Sequence, residues 1–191
     1  MERTAEVYFG ATLAPSKTEL LQAWLPSQPW FSGDPAKVDR VANFRFVDPD
    51  GEVGLDAMVL SDGEHTYFVP VTWRAQPMEY AEPIGTLEHS ALGTRYGYDG
   101  AVDPVFMQEL ERVIREADTH AGINDEHGNA VPLAMHVKGS GVVPGEAPEA
   151  ELQIMRVLDR TMDVPGDAVG TLLGDWTDGD GPRKDLLAVL R

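Results

Sequence analysis

Three β-prone segments joined by tight turns constrain the first half of this chain more than any other feature. The segments span residues 38–47, 53–61 and 65–74, and each is rich in aliphatic, β-branched or aromatic residues. The turn signals Asp-Pro-Asp-Gly at 48–51 and Ser-Asp-Gly at 61–63 separate them. Turns of this kind join neighbouring antiparallel strands, so the pattern predicts an antiparallel sheet.

A helix at about 16–25 is expected before these strands. Ser16 and Glu19 form a capping box, in which each side chain satisfies a backbone donor of the other residue. Apolar residues at helical spacing then give the helix one apolar face, namely Leu20, Leu21, Trp24 and Leu25. Pro26 ends the helix. A helix packed on an antiparallel sheet is an α+β arrangement, and this is the fold class that we predict.

The second half is predicted to contain one helix followed by strands. Asp103 is a good N-cap and Pro104 is tolerated in the first turn, so a helix is expected at about 103–118. Beyond this helix, the segments with strand character are 131–143, 150–158, 168–173 and 186–190. We therefore expect one subdomain at residues 1–101 and a second, mainly β subdomain at residues 102–191 that packs on the first.

The charge balance excludes several kinds of partner. The chain of 191 residues carries 32 acidic against 15 basic residues, a net charge of −17, so nucleic acids and anionic membranes repel it. The chain has no cysteine, and its five histidines form no pair at metal-binding spacing, so neither a metal nor another cofactor is expected. The first residues lack the apolar run of a signal peptide, and no segment could span a bilayer, which favours a cytoplasmic protein.

A glycine-rich segment at 138–145 raises the alternative of a phosphotransferase. The strand-like run after it carries Arg156, and a kinase small lobe has this order of glycine loop and strand. Pro144, however, displaces the third loop glycine, and Arg156 is a poor substitute for the phosphate-binding lysine. No catalytic loop follows, so kinase activity is not expected, and a degenerate phosphotransferase is kept as an alternative.

Three carboxylates near the aromatic residues, Glu79, Glu82 and Glu88, could imitate the acid pair of a glycosidase. Spacing alone specifies little in a chain with 32 acids, and a solvated charged surface is the simpler explanation. A carboxylate glycosidase is therefore the second catalytic alternative. A structural subunit of a homodimer is a further, non-catalytic one.

The segment Trp24–Gly33, which reads Trp-Leu-Pro-Ser-Gln-Pro-Trp-Phe-Ser-Gly, resembles a segment of maltokinase-like proteins, in the cap that precedes their kinase lobes. Similar segments follow in the family's order at 66–72, at 84–85 and at 96–106, where Tyr-Asp and Asp-Pro run into a helix. The resemblance covers about residues 16–118. It implies a cystatin-like topology, with a helix laid across an antiparallel sheet.

The chain departs from this family at several points. Pro29 stands where a basic residue is usual, Asp34 stands where a lysine is usual, and the kinase catalytic lobe has no counterpart. The resemblance therefore indicates the stand-alone, cap-like member of the group, often labelled 1,4-alpha-glucan branching protein. It implies a non-catalytic accessory or regulatory module associated with α-glucan, maltose or trehalose metabolism. Its partner would be a protein or a saccharide of that metabolism.

Aromatic residues define the predicted binding site. Trp73 and Tyr80 frame a loop at the end of the most aromatic strand, where Gln76 and Glu79 could hydrogen-bond to sugar hydroxyls. Trp30 would complete a stacking surface, and the same residue types also suit a protein interface. Two alternatives stay open, because Trp73 can face inward and fill the core, and Trp30 can cover the end of the sheet.

Overall fold

The computed structural model describes residues 3–5, 7–125, 127–160 and 162–191. Its strands are β1 (Thr4–Ala5), β2 (Leu13–Ala14), β3 (Asp39–Val47), β4 (Gly54–Ser61), β5 (Thr66–Arg74), β6 (Gly85–His89), β7 (Gly93–Asp99), β8 (Gly122–Ile123), β9 (Met135–Gly139), β10 (Leu152–Ile154), β11 (Gly170–Asp178) and β12 (Gly181–Leu190). Its α-helices are α1 (Lys17–Trp24) and α2 (Pro104–Arg115), and short 3₁₀ turns lie at Leu25–Ser27, Pro35–Lys37 and Gly100–Val102. The predicted α+β class is confirmed.

The larger sheet has six strands in the order β2-β6-β7-β5-β4-β3, and neighbouring strands run antiparallel. The three predicted strands are β3, β4 and β5, which confirms the sheet inferred from the turn signals. β6 and β7 extend this sheet, and the sequence analysis did not predict them. The capping box of Ser16 and Glu19 is present, and α1 buries Leu21 against one face of the sheet.

Both faces of the central strands are buried. Along β4, Met58 and Leu60 belong to the core beneath α1, whereas Ala57 and Val59 belong to the core on the opposite face. Successive side chains of a strand point to opposite faces, so a sheet covered on both sides needs apolar residues at successive positions. For this reason β4 and β5 read as nearly continuous apolar runs.

The second half of the chain covers the face opposite α1. α2 contacts β3 of the larger sheet and also β9 and β11, which belong to a four-stranded sheet with the order β10-β12-β11-β9. Phe106, Leu110 and Val113 of α2 are fully buried in the core that these elements share. The predicted helix and the mainly β character of the second half are therefore confirmed.

Strand boundaries in the second half differ from the predicted ones. β11 and β12 form one long hairpin, because the turn between them sets a register that continues through polar residues. Of the predicted strand at 131–143, only β9 forms. The backbone on either side of β9 makes hydrogen bonds outside the sheet, because the Val131 N–H donates to the Ile123 carbonyl and the Gly141 N–H donates to the Ile114 carbonyl. Pairing partners, and not local composition, decided these boundaries.

Residues 155–158 connect the second half to the larger sheet. They pair with the first part of β5 through backbone hydrogen bonds of 2.9 Å donated by Phe68 and Leu158. β7 pairs only with the last part of β5. Residues 155–158 therefore pair with the part of the β5 edge that β7 leaves uncovered. The division into subdomains 1–101 and 102–191 as separate folding units stays a prediction.

Candidate functional site

Trp73, a residue of the predicted binding site, lies in the core. It is 7% exposed, and its indole N–H donates to the carboxylate of Asp56 at 3.0 Å. Its ring rests on Gly97 of β7, where a Cβ atom would lie 2.8 Å from the ring. The inward alternative for Trp73 is therefore correct, and the predicted stacking surface loses this residue.

Trp30 covers the end of the larger sheet. Its ring packs on Trp24 and Tyr67 at centroid distances of 5.9 and 6.0 Å, and the guanidinium of Arg156 lies over it at 5.0 Å. Phe31 packs on Tyr67 as well, at 5.0 Å. These contacts confirm the covering role, and a part for Trp30 in ligand binding stays a prediction.

The glycine that ends this aromatic segment is required by a close approach. A Cβ atom at Gly33 would lie 2.1 Å from a carboxylate oxygen of Asp62 and 2.9 Å from the Tyr67 hydroxyl. Burial alone would raise the pKa of Asp62, but backbone N–H groups of the adjacent turns donate to it and lower the pKa to about 2. These donors also hold the carboxylate of Asp62 in place next to Gly33. Together with the ring contacts of Trp30 and Phe31, this close approach shows that Trp24–Gly33 is a packing element of the structure.

The loop that follows β5 lines a shallow groove of about 420 Å³. Glu79 and Tyr80, both from the predicted site, come together there, and Tyr80 is 69% exposed. Glu82 and Tyr96 also line the groove, although they were not part of the predicted site. Gln76 is exposed but lies outside the groove lining.

A cleft of about 500 Å³ opens beside α1, and the sequence analysis missed it. Its polar lining includes Lys17 from α1, Asp56 from β4, His89 from β6 and Arg95 from β7. These residues are distant in sequence and are brought together by strand pairing and by the position of α1. Asp56 was the available local signal, since it is an acid inside an otherwise apolar strand.

Asp56 is the centre of a buried ion network beside this cleft. Its carboxylate contacts Lys17, lies 2.8 Å from Arg45 and accepts the indole hydrogen bond of Trp73. Burial alone would raise the pKa of Asp56, but the two cations and the hydrogen bonds from Lys17 and Trp73 outweigh it and lower the pKa to about 2. The carboxylate is therefore ionised throughout the neutral pH range.

Acid should weaken this network. The pKa of Asp56 falls from 3.8 to about 2 on folding, so its stabilising contribution is complete above pH 3.8 and is lost as the pH falls through about 2. We expect the difference in free energy of unfolding between the wild type and Asp56→Asn to shrink by about 2 kcal/mol over this window. Urea unfolding at several pH values measures it, with the exposed Asp50→Asn as control. A difference that does not change with pH would contradict the prediction.

His89 adds an imidazole to the same cleft. Its Nδ1 accepts hydrogen bonds from the N–H groups of Ala91 and Leu92 at 3.2 and 3.3 Å, so the proton of the neutral ring lies on Nε2. Partial burial and then the nearby charges of Lys17 and Arg95 lower the pKa of His89 below its usual 6.5. The ring is therefore mostly uncharged near neutral pH.

Asp103, from the Asp-Pro helix start, has a structural role. It caps α2 by accepting a hydrogen bond from the Val105 N–H at 3.0 Å. Its carboxylate also accepts two hydrogen bonds of 2.7 Å from Arg74 and one of 2.6 Å from the Thr72 hydroxyl. Burial alone would raise the pKa of Asp103, but these donors outweigh it and lower the pKa. The predicted N-cap is confirmed, and it also attaches α2 to β5.

The glycine-rich segment at 138–145 lies at the C-terminal end of α2. The N–H groups of Gly139, Gly141 and Val142 donate to backbone carbonyls between residues 114 and 118. A phosphate-binding loop instead directs its N–H groups at the ligand, commonly beside a helix N-terminus where the dipole favours an anion. This segment does not have that geometry, because the protein itself uses its donors at the negative end of the helix.

The candidate metal ligands and membrane segments give no further site within the described residues. Across 3–5, 7–125, 127–160 and 162–191, no three acidic or histidine side chains are grouped so that they could hold a metal ion. His120 and His136 do form a hydrogen-bonded pair at 3.1 Å. In the same part of the chain, no helix combines the length and the apolar character needed to cross a membrane.

Residues 24–103 match the family model of the maltokinase N-terminal cap domain. The match covers less than half of the chain and extends from the aromatic segment after α1 to the Asp103 cap of α2. The similarity to this cap domain, inferred above from short segments, is confirmed over that range. A sequence comparison with curated proteins gives no match.

Proposed function

We propose that the protein is a non-catalytic accessory module of α-glucan, maltose or trehalose metabolism, which works in the cytoplasm and binds an α-glucan or maltooligosaccharide. The match of residues 24–103 to the maltokinase cap carries this proposal. The glycine-rich segment supports a non-catalytic role, because its N–H groups bond to the end of α2. Binding to a protein of the same metabolism and self-association into a homodimer are the alternative modes of action.

The groove beside Tyr80 is the surface that suits a saccharide. An exposed tyrosine ring can stack on the C–H face of a sugar, and the carboxylates of Glu79 and Glu82 can accept hydrogen bonds from hydroxyl groups. The Met78 N–H donates to the Tyr98 hydroxyl at 2.8 Å and so fixes the loop on β7. A loop that is already fixed loses less conformational freedom on binding, which favours affinity.

Tyr80→Ala is expected to weaken maltohexaose binding about five-fold, because an aromatic stacking contact contributes roughly 1 kcal/mol. The melting temperature should not change, since Tyr80 is exposed. Isothermal titration calorimetry and thermal unfolding measure the two effects. Phe9→Ala is the matched control, because Phe9 is an exposed aromatic residue outside the groove, and its loss should leave binding unchanged.

Other outcomes distinguish the modes of action. A wild-type protein that binds no maltooligosaccharide would contradict the saccharide mode. Affinity capture that then recovers an enzyme acting on α-glucans would support an accessory role through a protein partner, and light scattering would detect a homodimer. Failure of all three measurements would contradict the proposal as a whole.

A further inference from the structure

The cleft beside α1 contains a cation that has no acidic partner among the described residues. Arg95 lines this cleft, and its guanidinium donates a single hydrogen bond within that part of the chain, to the Thr94 carbonyl at 2.9 Å. Other arginines of the chain, such as Arg74, Arg112 and Arg183, pair with carboxylates. Arg95 therefore has donors available for a ligand.

The described lining contains as many acids as cations, namely Asp48, Glu52 and Asp56 against Lys17, Arg45 and Arg95. Lys17 and Arg45 both contact the carboxylate of Asp56. Of the other described acids in the lining, Asp48 directs its oxygens to N–H groups of its own turn, and Glu52 is exposed. None of these acids forms an ion pair with Arg95 within the described residues, so its guanidinium is not paired inside the cleft.

His89 responds to the same positive charges. The ring lies in the cleft, and the charges of Lys17 and Arg95 act together with burial to lower its pKa. Arg95 pairs with Leu87, which is two residues before His89 on β6, so Arg95 and His89 face the same side of the sheet, and Lys17 lines the same cleft.

Apolar and aromatic side chains form the remaining lining. Tyr8 is 40% exposed and packs edge-on against His89 at 5.6 Å, and the half-buried Leu13 and Leu92 lie beside it. The volume of about 500 Å³ lies within the usual range for small-molecule sites. A mainly apolar wall with a few polar groups is typical of such sites.

We propose that this cleft binds a small organic anion, whose carboxylate or phosphate group pairs with Arg95 and Lys17 and whose uncharged part packs on Tyr8 and Leu92. A guanidinium binds either group through two parallel hydrogen bonds, and the Lys17 ammonium has donors beyond the one that Asp56 uses. The site lies apart from the Tyr80 groove. In the pairing of β6 with β7, Arg95 and Tyr96 are successive residues and so face opposite sides of the sheet.

The test titrates the full chain at low salt with inorganic phosphate, glucose 6-phosphate and glucuronate, and with neutral glucose as the uncharged comparison. We expect saturable binding of the anions and a change in the ring resonances of Tyr8 and His89. Arg95→Gln should weaken binding about ten-fold, because it removes a charge-assisted pair. Raising the salt concentration should weaken binding as well. Comparison of phosphate with glucuronate shows which anionic group the site prefers.

Arg40→Gln is the matched control. Arg40 is an exposed arginine of β3 outside the cleft lining, so its loss changes the net charge equally and should leave binding unchanged. No saturable binding of any of the three anions, equal binding by Arg95→Gln, or equal binding of glucose would overturn the proposal. Tyr80→Ala should not affect anion binding and Arg95→Gln should not affect maltohexaose binding, so this site and the proposed function can fail separately.

Discussion

Asp103→Ala is expected to lower the melting temperature by roughly 10 °C. The carboxylate is fully buried, and it caps α2 while it binds Arg74 and the Thr72 hydroxyl. Its removal leaves a half-buried guanidinium and a buried hydroxyl without their acceptor and deletes the helix cap, which together cost about 3 to 5 kcal/mol. Thermal unfolding followed by circular dichroism measures the shift.

Asp34→Ala provides the comparison. Asp34 also caps a short helical turn, by accepting a hydrogen bond from the Ala36 N–H, but it is exposed and binds no buried cation. The loss of this cap should cost about 1 kcal/mol or less. If both variants lowered the melting temperature equally, the buried contacts of Asp103 would contribute nothing beyond capping. Asp103→Asn, which keeps the shape and the cap acceptor, should fall between the wild type and Asp103→Ala.

Gly139→Ala is expected to destabilise the protein by roughly 3 kcal/mol. A Cβ atom at this position would lie 2.0 Å from the Val113 carbonyl oxygen and 2.8 Å from the Ile114 Cα atom. Both atoms belong to the backbone of α2, so no side-chain rotation can relieve the overlap. α2 and β9 would have to move apart, which disturbs the core that they share. Urea unfolding measures the loss.

Gly166→Ala is the matched glycine control. A Cβ atom there would meet no other atom within 4 Å, and the backbone is not in the left-handed region. Alanine at such a position restricts the unfolded chain, so stability should stay the same or rise slightly. An equal loss of stability in both variants would contradict the close packing of α2 on β9.

Both halves of the chain contain a buried carboxylate that binds a tryptophan and a cation. In the first half, Asp56 accepts from Trp73 and contacts Lys17. In the second half, Asp185 accepts from the Trp176 indole at 2.7 Å and binds Arg183. Arg183 also donates to the Thr66 hydroxyl of β5 and so connects the two sheets. The network around Asp56 instead lies beside a cleft, which makes it the better candidate for ligand binding.

Part of the candidate site could be predicted from the sequence. Glu79 and Tyr80 lie together in a groove because they are neighbours in one loop, and loops at strand ends are exposed. Whether the Trp73 side chain is buried or exposed could not be predicted from the sequence. Alternation of apolar and polar residues along a strand shows which side chains are buried only when one face of the sheet is exposed to solvent. Here both faces are covered, so either orientation of Trp73 leads into a core.

The sequence by itself determined α1, the hairpins of β3 to β5 and the start of α2, because a capping box, turn residues and an N-cap act within a few residues. Only the tertiary structure decided β6 and β7, because their glycines weaken the strand propensity of both segments. Gly97 of β7 is needed there because the Trp73 ring packs directly on it. The tertiary structure also decided the cleft, because Lys17, Asp56 and Arg95 meet through the pairing of β4, β5 and β7 and the placement of α1. Contacts between residues so distant in sequence depend on the register of several strands at once, and no local pattern contains that information.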